Sequence, residues 1–385
     1  MNFEPFIVDN DYLLDVHNNT KYNEVIVDYF KKYSEEVEQH RKDTFGNIIK
    51  SIDCCNKFFE IDKYSFNMIK DFKRTNLCKN KFCNNCKKVK QASRMSRYIP
   101  EIEQYKDKIY HVTFTVPNCK GKDLKKTLKK MIASFSKLTR FINGTVKSSV
   151  YNFKSLGYLG CIRSLEITFT GDNYHPHFHC CFAFDNLDLN KIHENCYSYD
   201  KFRKKDKKLF SDFEIVIQKM WYMLINDIRL TKENFDLTEV GYSCNCDKFK
   251  EGDYAELFKY MTKETDEKNN VLTYDNFKIL YESTYALKQI QGYGCFYKIN
   301  DENLDEEVEK EYVKMQLFLQ SFETPINVLE RPIDLMQDNK YTLISRKKIF
   351  QYMREEKPSI IESNYKKMIA EYGDIVEEQV KWGYI

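Results

Sequence analysis

Histidines at alternate positions of one short segment have the spacing of a divalent metal site. His175, His177 and His179 are three of only seven histidines in the chain, and they fall within five residues. Alternate side chains of a β-strand point to one face, so a strand would set His177 and His179 side by side, about 7 Å apart. Two imidazoles and a carboxylate can bind Mn²⁺ or Mg²⁺ and leave positions open for substrate oxygens. His175 is a further candidate ligand or phosphate contact. Exposed histidines without a metal are the competing interpretation.

A second group combines a phenol, a carboxylate and lysines at helical spacing. Residues 253–263 read as a helix, and four of them recur at intervals of three and four on adjoining surface: Glu256, Lys259, Tyr260 and Lys263. A phenol, with a pKa of about 10, is a poor nucleophile at neutral pH unless a base or a cation favours the phenolate. The two lysines could neutralise charge on a transferred phosphoryl group. Tyr260 is one of 28 tyrosines, however, and packing is the usual role of any one of them.

Five cysteines cluster in the first quarter of the chain with spacing that suits structural zinc. Cys78, Cys83 and Cys86 are separated by four and two residues, and Cys54 or Cys55 could supply a fourth thiolate. A closed four-thiolate site would fold a small module that a hydrophobic core alone would not hold together. Unligated thiols in a reducing compartment are the alternative.

Basic side chains are concentrated in two stretches that suit contact with a polyanion. The formal net charge is only +3, but residues 301–385 carry −6, so the rest of the chain carries +9. Residues 73–97 contain nine Lys/Arg and no acid, and residues 120–150 contain nine against one Asp. Such stripes bind DNA by releasing condensed counterions, whereas a solvated charged face is the alternative. The lysines among the cysteines would form a DNA-facing surface: Lys79, Lys81, Lys87, Lys88 and Lys90.

Three segments with period-two alternation are expected to be the strands that position these groups. They cover residues 111–116, 163–169 and 175–184, and each has apolar residues on one face. The histidines fall on the polar face of the third segment and Glu166 on the polar face of the second. A Gly-Asp-Asn turn at 171–173 suits an antiparallel hairpin, which would bring Glu166 beside the histidines. Each strand would have one core face and one open, chemically functional face.

The elements together predict an α/β fold of the α+β kind. Apolar residues at spacings of three and four over 124–142 predict an amphipathic helix that covers the core face of a central antiparallel sheet. A small Cys-rich zinc module would precede the sheet, and a mostly helical region would follow it. The expected division is an N-terminal segment (1–50), the zinc module (51–100), the sheet-containing domain (105–300) and an acidic C-terminal region (301–385).

Composition excludes several classes of protein. The 385 residues are 42% hydrophobic with 28 Phe and 28 Tyr, which is enough for folded cores and excludes global disorder. The longest apolar runs, of about six residues, are too short for a membrane span. The N-terminus shows no secretory signal, and thirteen cysteines, an odd number, suit reduced thiols and metal ligands rather than disulfides. We therefore expect a cytoplasmic protein with no membrane partner.

Four motifs in order resemble those of the HUH endonucleases, most closely the rolling-circle replication initiator (Rep) proteins of small Gram-positive plasmids. The motifs are Val-Thr-Phe-Thr-Val-Pro-Asn at 112–118, Arg-Ser-Leu-Glu at 163–166, His-Pro-His-Phe-His at 175–179 and Glu-x-x-Lys-Tyr-x-x-Lys at 256–263. The cysteine segment at 76–86 and Gln-Ile-Gln-Gly-Tyr-Gly at 289–294 are also similar to that family. The resemblance runs from about Cys54 to Glu307. Cys180 and Cys181 depart from the family's usual aliphatic residues.

The resemblance implies roles for individual residues. His177 and His179 match the metal motif of the family, with Glu166 as the third ligand. Tyr260 matches the tyrosine that transfers the DNA strand. Glu256 matches a glutamate that is implied to activate water, or otherwise to assist, in the second cleavage that ends a replication round.

The function implied by the resemblance is initiation of rolling-circle replication. The protein would bind its plasmid origin at a single-stranded or hairpin nick site, cut one strand with Mg²⁺ or Mn²⁺, and remain joined to the 5′ end through a phosphotyrosine. The free 3′-hydroxyl would prime a host polymerase, and a host helicase is a further candidate partner. Zn²⁺ would be structural, and Cys55 fits the spacing better than Cys54. The alternatives are a relaxase or single-strand transposase of the same chemistry, and a non-catalytic zinc-dependent DNA-binding regulator.

Overall fold

The chain divides into two compact units in a computed structural model: residues 1–96 with 302–385, and residues 97–301. The structure describes these residues: 10–37, 39–53, 55, 58–66, 68–75, 77–194, 209–258, 272–299, 333–334 and 342–345. Helix α3 (Asn84–Glu103) runs along the chain from the first unit into the second. The four-part division expected from the sequence stays a prediction.

The first unit contains two N-terminal helices and a small antiparallel sheet. Its elements are α1 (Asn10–Glu36), α2 (Gln39–Asp53), β1 (Phe58–Phe66), β2 (Met68–Thr75), β11 (Ile333–Asp334) and β12 (Thr342–Ser345). β1 pairs with each of the other three strands. The rings of Tyr33 on α1 and Phe45 on α2 are buried with their centroids 5.3 Å apart, which holds the two helices together. The C-terminal region expected to be mostly helical lies outside the described residues, apart from β11 and β12.

The second unit is built on a six-stranded antiparallel sheet. Its strands are β3 (Ile109–Thr115), β4 (Cys119–Lys120), β5 (Tyr158–Thr170), β6 (Asn173–Phe184), β9 (Cys244–Lys248) and β10 (Ile290–Gly294). They are arranged in the order β10-β5-β6-β3-β9, and the short β4 pairs with β6. β7 (His193–Glu194) and β8 (Leu209–Phe210) form a separate ribbon. This architecture confirms the expected α/β fold class with a central antiparallel sheet.

The described part of the second unit contains five further α-helices. They are α4 (Gly121–Ile142), α5 (Asp212–Ile225), α6 (Lys232–Leu237), α7 (Glu251–Leu257) and α8 (Tyr274–Thr284). Of these, α4, α5 and α7 contact the sheet. α4 is the amphipathic helix expected from the sequence, and the apolar residues that recur at spacings of three and four along it are buried. Across the part of the chain that the structure describes, no helix combines the length and the apolar character that crossing a bilayer requires.

A tight turn fixes the register of the long β5–β6 hairpin. Gly171 has a φ of 55°, a conformation that favours glycine, and β6 begins at Asn173, so the expected hairpin is confirmed. The side-chain amide of Asn276 on α8 donates to the backbone oxygen of Gly171 at 2.8 Å and to the hydroxyl of Tyr174 at 2.6 Å. These bonds hold the turn against α8.

Aromatic side chains fill the core between the sheet and the helices α4 and α5. Phe135 of α4 and Trp221 of α5 are fully buried, with ring centroids 5.4 and 6.2 Å from that of Phe178 on β6. The indole Nε1 of Trp221 donates to the backbone oxygen of Thr115 at 2.7 Å, so its polar group is satisfied. The core therefore anchors the middle of β6 from one face and leaves the histidines on the other.

Candidate active site

The β5–β6 hairpin places Glu166 and the histidine pair on one face of the sheet. Glu166 lies directly opposite His177, and Ser164 lies directly opposite His179. Because side chains alternate along each strand, Glu166, His177 and His179 project from the same face. Phe178, between the two histidines, points into the core, where it is fully buried. The structure thus brings together three of the side chains that the sequence singles out.

Three ligand atoms converge on this face. Nε2 of His177 and Nε2 of His179 lie 2.9 and 3.0 Å from the same oxygen, Oε2 of Glu166. The ligand atoms of the three residues all lie within 4.8 Å of one another, which is close enough to share one metal ion. Nδ1 of His177 lies 3.2 Å from the backbone oxygen of His175. When this Nδ1 carries the hydrogen and donates it there, the Nε2 lone pair is kept for a metal.

The two histidines hold the carboxyl group of Glu166 in its charged form. Burial by itself would raise the pKa of Glu166, but hydrogen bonds from His177 and His179 and the charges of their rings outweigh it. The net result is a pKa well below the usual value for glutamate. The carboxylate of Glu166 and the ring nitrogens of the two histidines form a mixed oxygen and nitrogen donor set, which fits a divalent ion such as Mn²⁺.

The face that carries these groups is covered, and the expectation of an open face is wrong. Ser164, Glu166 and His179 are only 2, 3 and 8% exposed. Helix α7 packs against β6 and brings two further carboxylates, Asp253 and Glu256, to this side of the sheet. Alternation within a strand identifies its polar face but does not reveal a helix that arrives there from elsewhere in the chain. The polar character of Glu166 and His179 reflects their buried hydrogen bonds rather than exposure.

His111 of β3 joins the cluster, although no motif in the sequence assigns it a role. Its Nε2 lies 3.2 Å from Nδ1 of His179, and its Nδ1 lies 3.1 Å from Oδ1 of Asp253. The rings of His111 and His179 are stacked with their centroids 5.4 Å apart. Burial is the main cause that lowers the pKa of His111 below its usual value. The only signal in the sequence is that His111 lies on the polar face of a predicted strand.

Helix α7 brings one of the predicted catalytic residues to the site. Oε2 of Glu256 lies 4.0 Å from Nε2 of His179. The helix begins two residues before its predicted start and is observed as Glu251–Leu257. Residues 259–271 lie outside the described part of the chain, and with them the predicted Lys259, Tyr260 and Lys263. The roles of these three residues stay predictions.

The geometry does not bring His175 into the group of ligands. His175 lies opposite Thr168, whereas the carboxylate of the site lies opposite His177, two positions away. The ring centroid of His175 is 5.2 Å from that of His177. Among the described residues, the ligand atoms that converge here belong to Glu166, His177 and His179 only. His175 is not among these converging ligand atoms, and its role as a further ligand or a phosphate contact stays a prediction.

Four cysteines of the first unit form a compact cluster of sulfur atoms. The Sγ atoms of Cys55, Cys78, Cys83 and Cys86 all lie within 4.8 Å of one another. The sulfur of Cys86 is 3.6 Å from that of Cys55 and 3.5 Å from that of Cys78. Four sulfurs that bind one zinc at about 2.3 Å would be separated by about 3.8 Å, so the cluster has nearly the size of a zinc tetrahedron. Cys54 lies outside the described residues.

Hydrogen bonds to sulfur support this cluster. The backbone N–H of Lys79 donates to Sγ of Cys86 at 3.2 Å, and the side-chain amide of Asn23 donates to Sγ of Cys83 at 3.1 Å. Hydrogen bonds from the neighbouring thiols, that of Cys55 above all, lower the pKa of Cys83 well below its usual value. Because the thiolate is the form that binds metal, the donor set fits structural Zn²⁺.

Replacing Cys83 with serine will remove zinc from the protein. One of four thiolates is lost, and a structural site of this kind depends on all of them. The measurement is the zinc content per chain after dialysis, by elemental analysis and native mass spectrometry, which we expect to fall from one ion toward none. Cys295→Ser, at an exposed cysteine of the second unit, is the matched control and will keep the zinc. Full zinc content in Cys83→Ser would exclude the four-cysteine site.

The lysines expected to face DNA have different environments. Lys79 is exposed, whereas Lys81 and Lys90 are half-buried. Burial, reinforced by the positive charge of Lys90, lowers the pKa of Lys81 to about 8. Lys87 is only 7% exposed and places its ammonium group over an aromatic ring of α1, so the expectation that it faces DNA is wrong. The side chain of Lys88 lies outside the described residues.

Comparisons with known proteins bear on the identity of the chain. Residues 69–324 match a family described as "Replication protein". A protein named "Protein rep" from Streptococcus pneumoniae is 28% identical over 231 residues, which cover 57% of this chain and 61% of that protein. "Protein rep" from Bacillus sp is 28% identical over 256 residues (63% and 76%), and "Protein rep" from Staphylococcus aureus is 32% identical over 170 residues (40% and 68%). No solved structure matches the chain.

The family match includes the elements that build the site. It runs through the β5–β6 hairpin and through helix α7, and it covers well over half of the chain. The first of the relatives is matched over about three fifths of its own length. The match confirms the resemblance seen in the ordered motifs, and the chain belongs to this family of replication proteins.

Proposed function

We propose that the protein initiates rolling-circle replication of a plasmid by cutting one strand of its origin. The observation that carries the proposal is the convergence of Glu166, His177 and His179 within 4.8 Å on one face of the sheet, in a member of a replication protein family. Glu256, 4.0 Å from His179, adds a second carboxylate beside them. Two imidazoles and a carboxylate can share one divalent ion and leave positions open, and a bound ion can act as a Lewis acid on a phosphoryl oxygen.

Tyr260 is the proposed nucleophile. It follows Phe258, the last described residue after α7, by two positions in the chain. Its phenolic oxygen forms a bond to the phosphorus of one phosphodiester while the bond from phosphorus to the 3′ oxygen breaks. The phenol loses its proton and the departing 3′ oxygen gains one, so one phosphate ester replaces another and no ATP is consumed. The protein remains joined to the 5′ end, and the free 3′-hydroxyl can prime a polymerase of the host.

Other side chains of the site have proposed supporting roles. Glu166, His177 and His179 would hold the divalent ion, which when bound supplies Lewis-acid polarisation of the phosphate. Glu256 would accept a proton from water in the second cleavage, which ends a round of replication. Lys263 would neutralise charge on the phosphoryl group as it is transferred.

Helix α4 offers a basic surface for the phosphates of the origin. Its apolar side is buried against the core, and the opposite side exposes six bases: Lys122, Lys125, Lys126, Lys129, Lys137 and Arg140. Lys130, a seventh base, forms an ion pair with Asp227. At the C-terminal end of α4, the lining of a cleft of about 410 Å³ includes Lys137, Arg140 and Arg229 together with Asp227 and apolar residues. Because Phe135 of α4 packs on the core side of β6, this surface lies across the sheet from the histidines and would contact origin DNA beyond the nick site.

Replacing Lys125, Lys126 and Lys129 with glutamine will weaken DNA binding in a salt-dependent manner. Each lost phosphate contact should lower the slope of log affinity against log salt by up to about 0.9. The measurement is fluorescence anisotropy on a labelled origin duplex at several salt concentrations. The control is Lys106→Gln with Lys232→Gln, since each of these lysines already lies beside a carboxylate. An unchanged slope in the triple variant would show that α4 is only a solvated face.

A nicking assay tests the proposed function as a whole. The protein is incubated with supercoiled DNA that contains the origin of the plasmid on which its gene lies, with and without Mn²⁺ or Mg²⁺. We expect conversion to the open circular form only when the metal is present. Binding to the duplex without any strand cleavage would contradict the proposal and favour the zinc-dependent DNA-binding regulator.

A further inference from the structure

We propose that His111 and Asp253 are positioning residues that orient His179 for metal binding. The inference rests on the proposed function, because it concerns the residues behind one of the proposed metal ligands. Neither residue belongs to the group of converging ligand atoms, and both lie in the second unit with that group. They form a chain of hydrogen bonds that runs from the metal face of the sheet to helix α7.

The distances define a continuous path through three side chains. Nε2 of His179 faces Oε2 of Glu166 at 3.0 Å, and Nδ1 of the same ring lies 3.2 Å from Nε2 of His111. Nδ1 of His111 in turn lies 3.1 Å from Oδ1 of Asp253. The side chains of His111 and Asp253 are only 15 and 20% exposed, so water competes little for these bonds.

The direction of every hydrogen bond follows from the need for a lone pair on Nε2 of His179. A metal can bind this nitrogen only when the ring hydrogen sits on Nδ1, which then donates to Nε2 of His111. His111 must therefore carry its own hydrogen on Nδ1, where the carboxylate of Asp253 accepts it. With a metal on Nε2 of His179, this arrangement of hydrogens satisfies all three groups and fixes both the tautomer and the ring orientation of His179.

His177 is also oriented through its Nδ1, but by a different kind of acceptor. Its Nδ1 is 3.2 Å from the backbone oxygen of His175, an acceptor on its own strand. His179 instead uses a side chain from the neighbouring strand β3, where Thr113 is its direct partner and His111 is displaced by two residues. The two proposed ligands are thus oriented by independent acceptors, one local and one that depends on tertiary packing.

Asp253 connects this path to the start of helix α7. Its other oxygen, Oδ2, accepts the backbone N–H of Lys250 at 2.7 Å, which fixes the first turn of the helix. The same helix carries Glu256, and Tyr260 follows its end by three residues in the chain. A change in the orientation of His179 would therefore be transmitted through His111 and Asp253 to the helix that precedes the proposed nucleophile in the chain.

Two substitutions of His111 distinguish a role in orienting His179 from a role in packing alone. His111→Phe fills similar space without an acceptor, whereas His111→Gln keeps an oxygen that can accept the hydrogen from His179. Mn²⁺ affinity of the full-length, zinc-loaded protein without DNA is measured by isothermal titration calorimetry and by the electron paramagnetic resonance signal of free Mn²⁺. We expect His111→Phe to bind Mn²⁺ about 10–100-fold more weakly than the wild type, as is typical for the loss of a group behind a metal ligand. We expect His111→Gln to recover most of that loss.

The controls separate this inference from the proposed function. His193→Ala removes a histidine that is paired with a carboxylate, Asp212, outside the site, and it should leave Mn²⁺ affinity unchanged. Circular dichroism and zinc content show whether each variant is folded. Wild-type affinity in His111→Phe, or an equal loss in His111→Gln and His111→Phe, would overturn the positioning role while leaving the metal site intact. Failure of the wild-type protein to bind Mn²⁺ would overturn the metal site and the positioning role together.

Discussion

Tyr260→Phe will abolish the covalent protein–DNA adduct while DNA binding persists. The substitution removes only the phenolic oxygen that forms the bond to phosphorus, and it retains the ring. Loss of a nucleophile typically costs about 10³-fold or more in rate, so the adduct should fall below detection. The measurement is a denaturing gel with an origin oligonucleotide labelled on the 3′ side of the nick, where the adduct appears as a slow band that requires Mn²⁺ or Mg²⁺.

A second tyrosine supplies the matched control for this result. Tyr297 is 71% exposed and lies outside the cluster of ligand atoms, so Tyr297→Phe should form the adduct at the wild-type rate. Fluorescence anisotropy on the same DNA should give similar affinities for both variants and the wild type. An undiminished adduct in Tyr260→Phe would refute the assignment of this tyrosine and require a different nucleophile among the remaining residues.

The double variant His177→Ala, His179→Ala will lose both divalent metal binding and nicking. It leaves Glu166 as a single protein ligand, which cannot compete with water for the ion. The loss of Mn²⁺ affinity should exceed the 10–100-fold that is typical for removal of a group behind a ligand. The same samples in the supercoiled plasmid assay should show no open circular product in Mn²⁺.

His175 is the matched control for the histidine pair. His175→Ala removes a third imidazole from the same strand but keeps the backbone oxygen that faces His177. It should retain Mn²⁺ affinity close to that of the wild type. Nicking that persists in Mn²⁺ in the double variant would remove the metal assignment, and a large loss in His175→Ala would restore that residue as a ligand.

The hairpin that builds the site could be predicted because its determinants are local. Gly171 and Asp172 form the turn, and alternation along both strands decides which side chains share a face. Once the turn is placed, the register puts Glu166 opposite His177 without any information from the rest of the chain. The amphipathic helix α4 was predictable for the same reason, since its period of apolar residues is a property of one segment.

The partners of the site could not be predicted because they depend on tertiary packing. His111 and Asp253 are 142 positions apart in the sequence and meet only because β3 pairs with β6 and α7 packs over the same face. Alternation reveals the face of a strand but not its neighbour in the sheet. Lys87 shows the same limit, since a basic stretch of sequence suggests a surface and yet this lysine is covered by an aromatic ring of α1.

Anomalous diffraction from a crystal of the protein grown with Mn²⁺ tests the central claim most directly. Data collected at the manganese absorption edge locate the ion without reference to activity or to DNA. We expect one manganese peak about 2.1 Å from Nε2 of His177, Nε2 of His179 and a carboxylate oxygen of Glu166. A peak elsewhere on the protein, with no ion between these three side chains, would contradict the account.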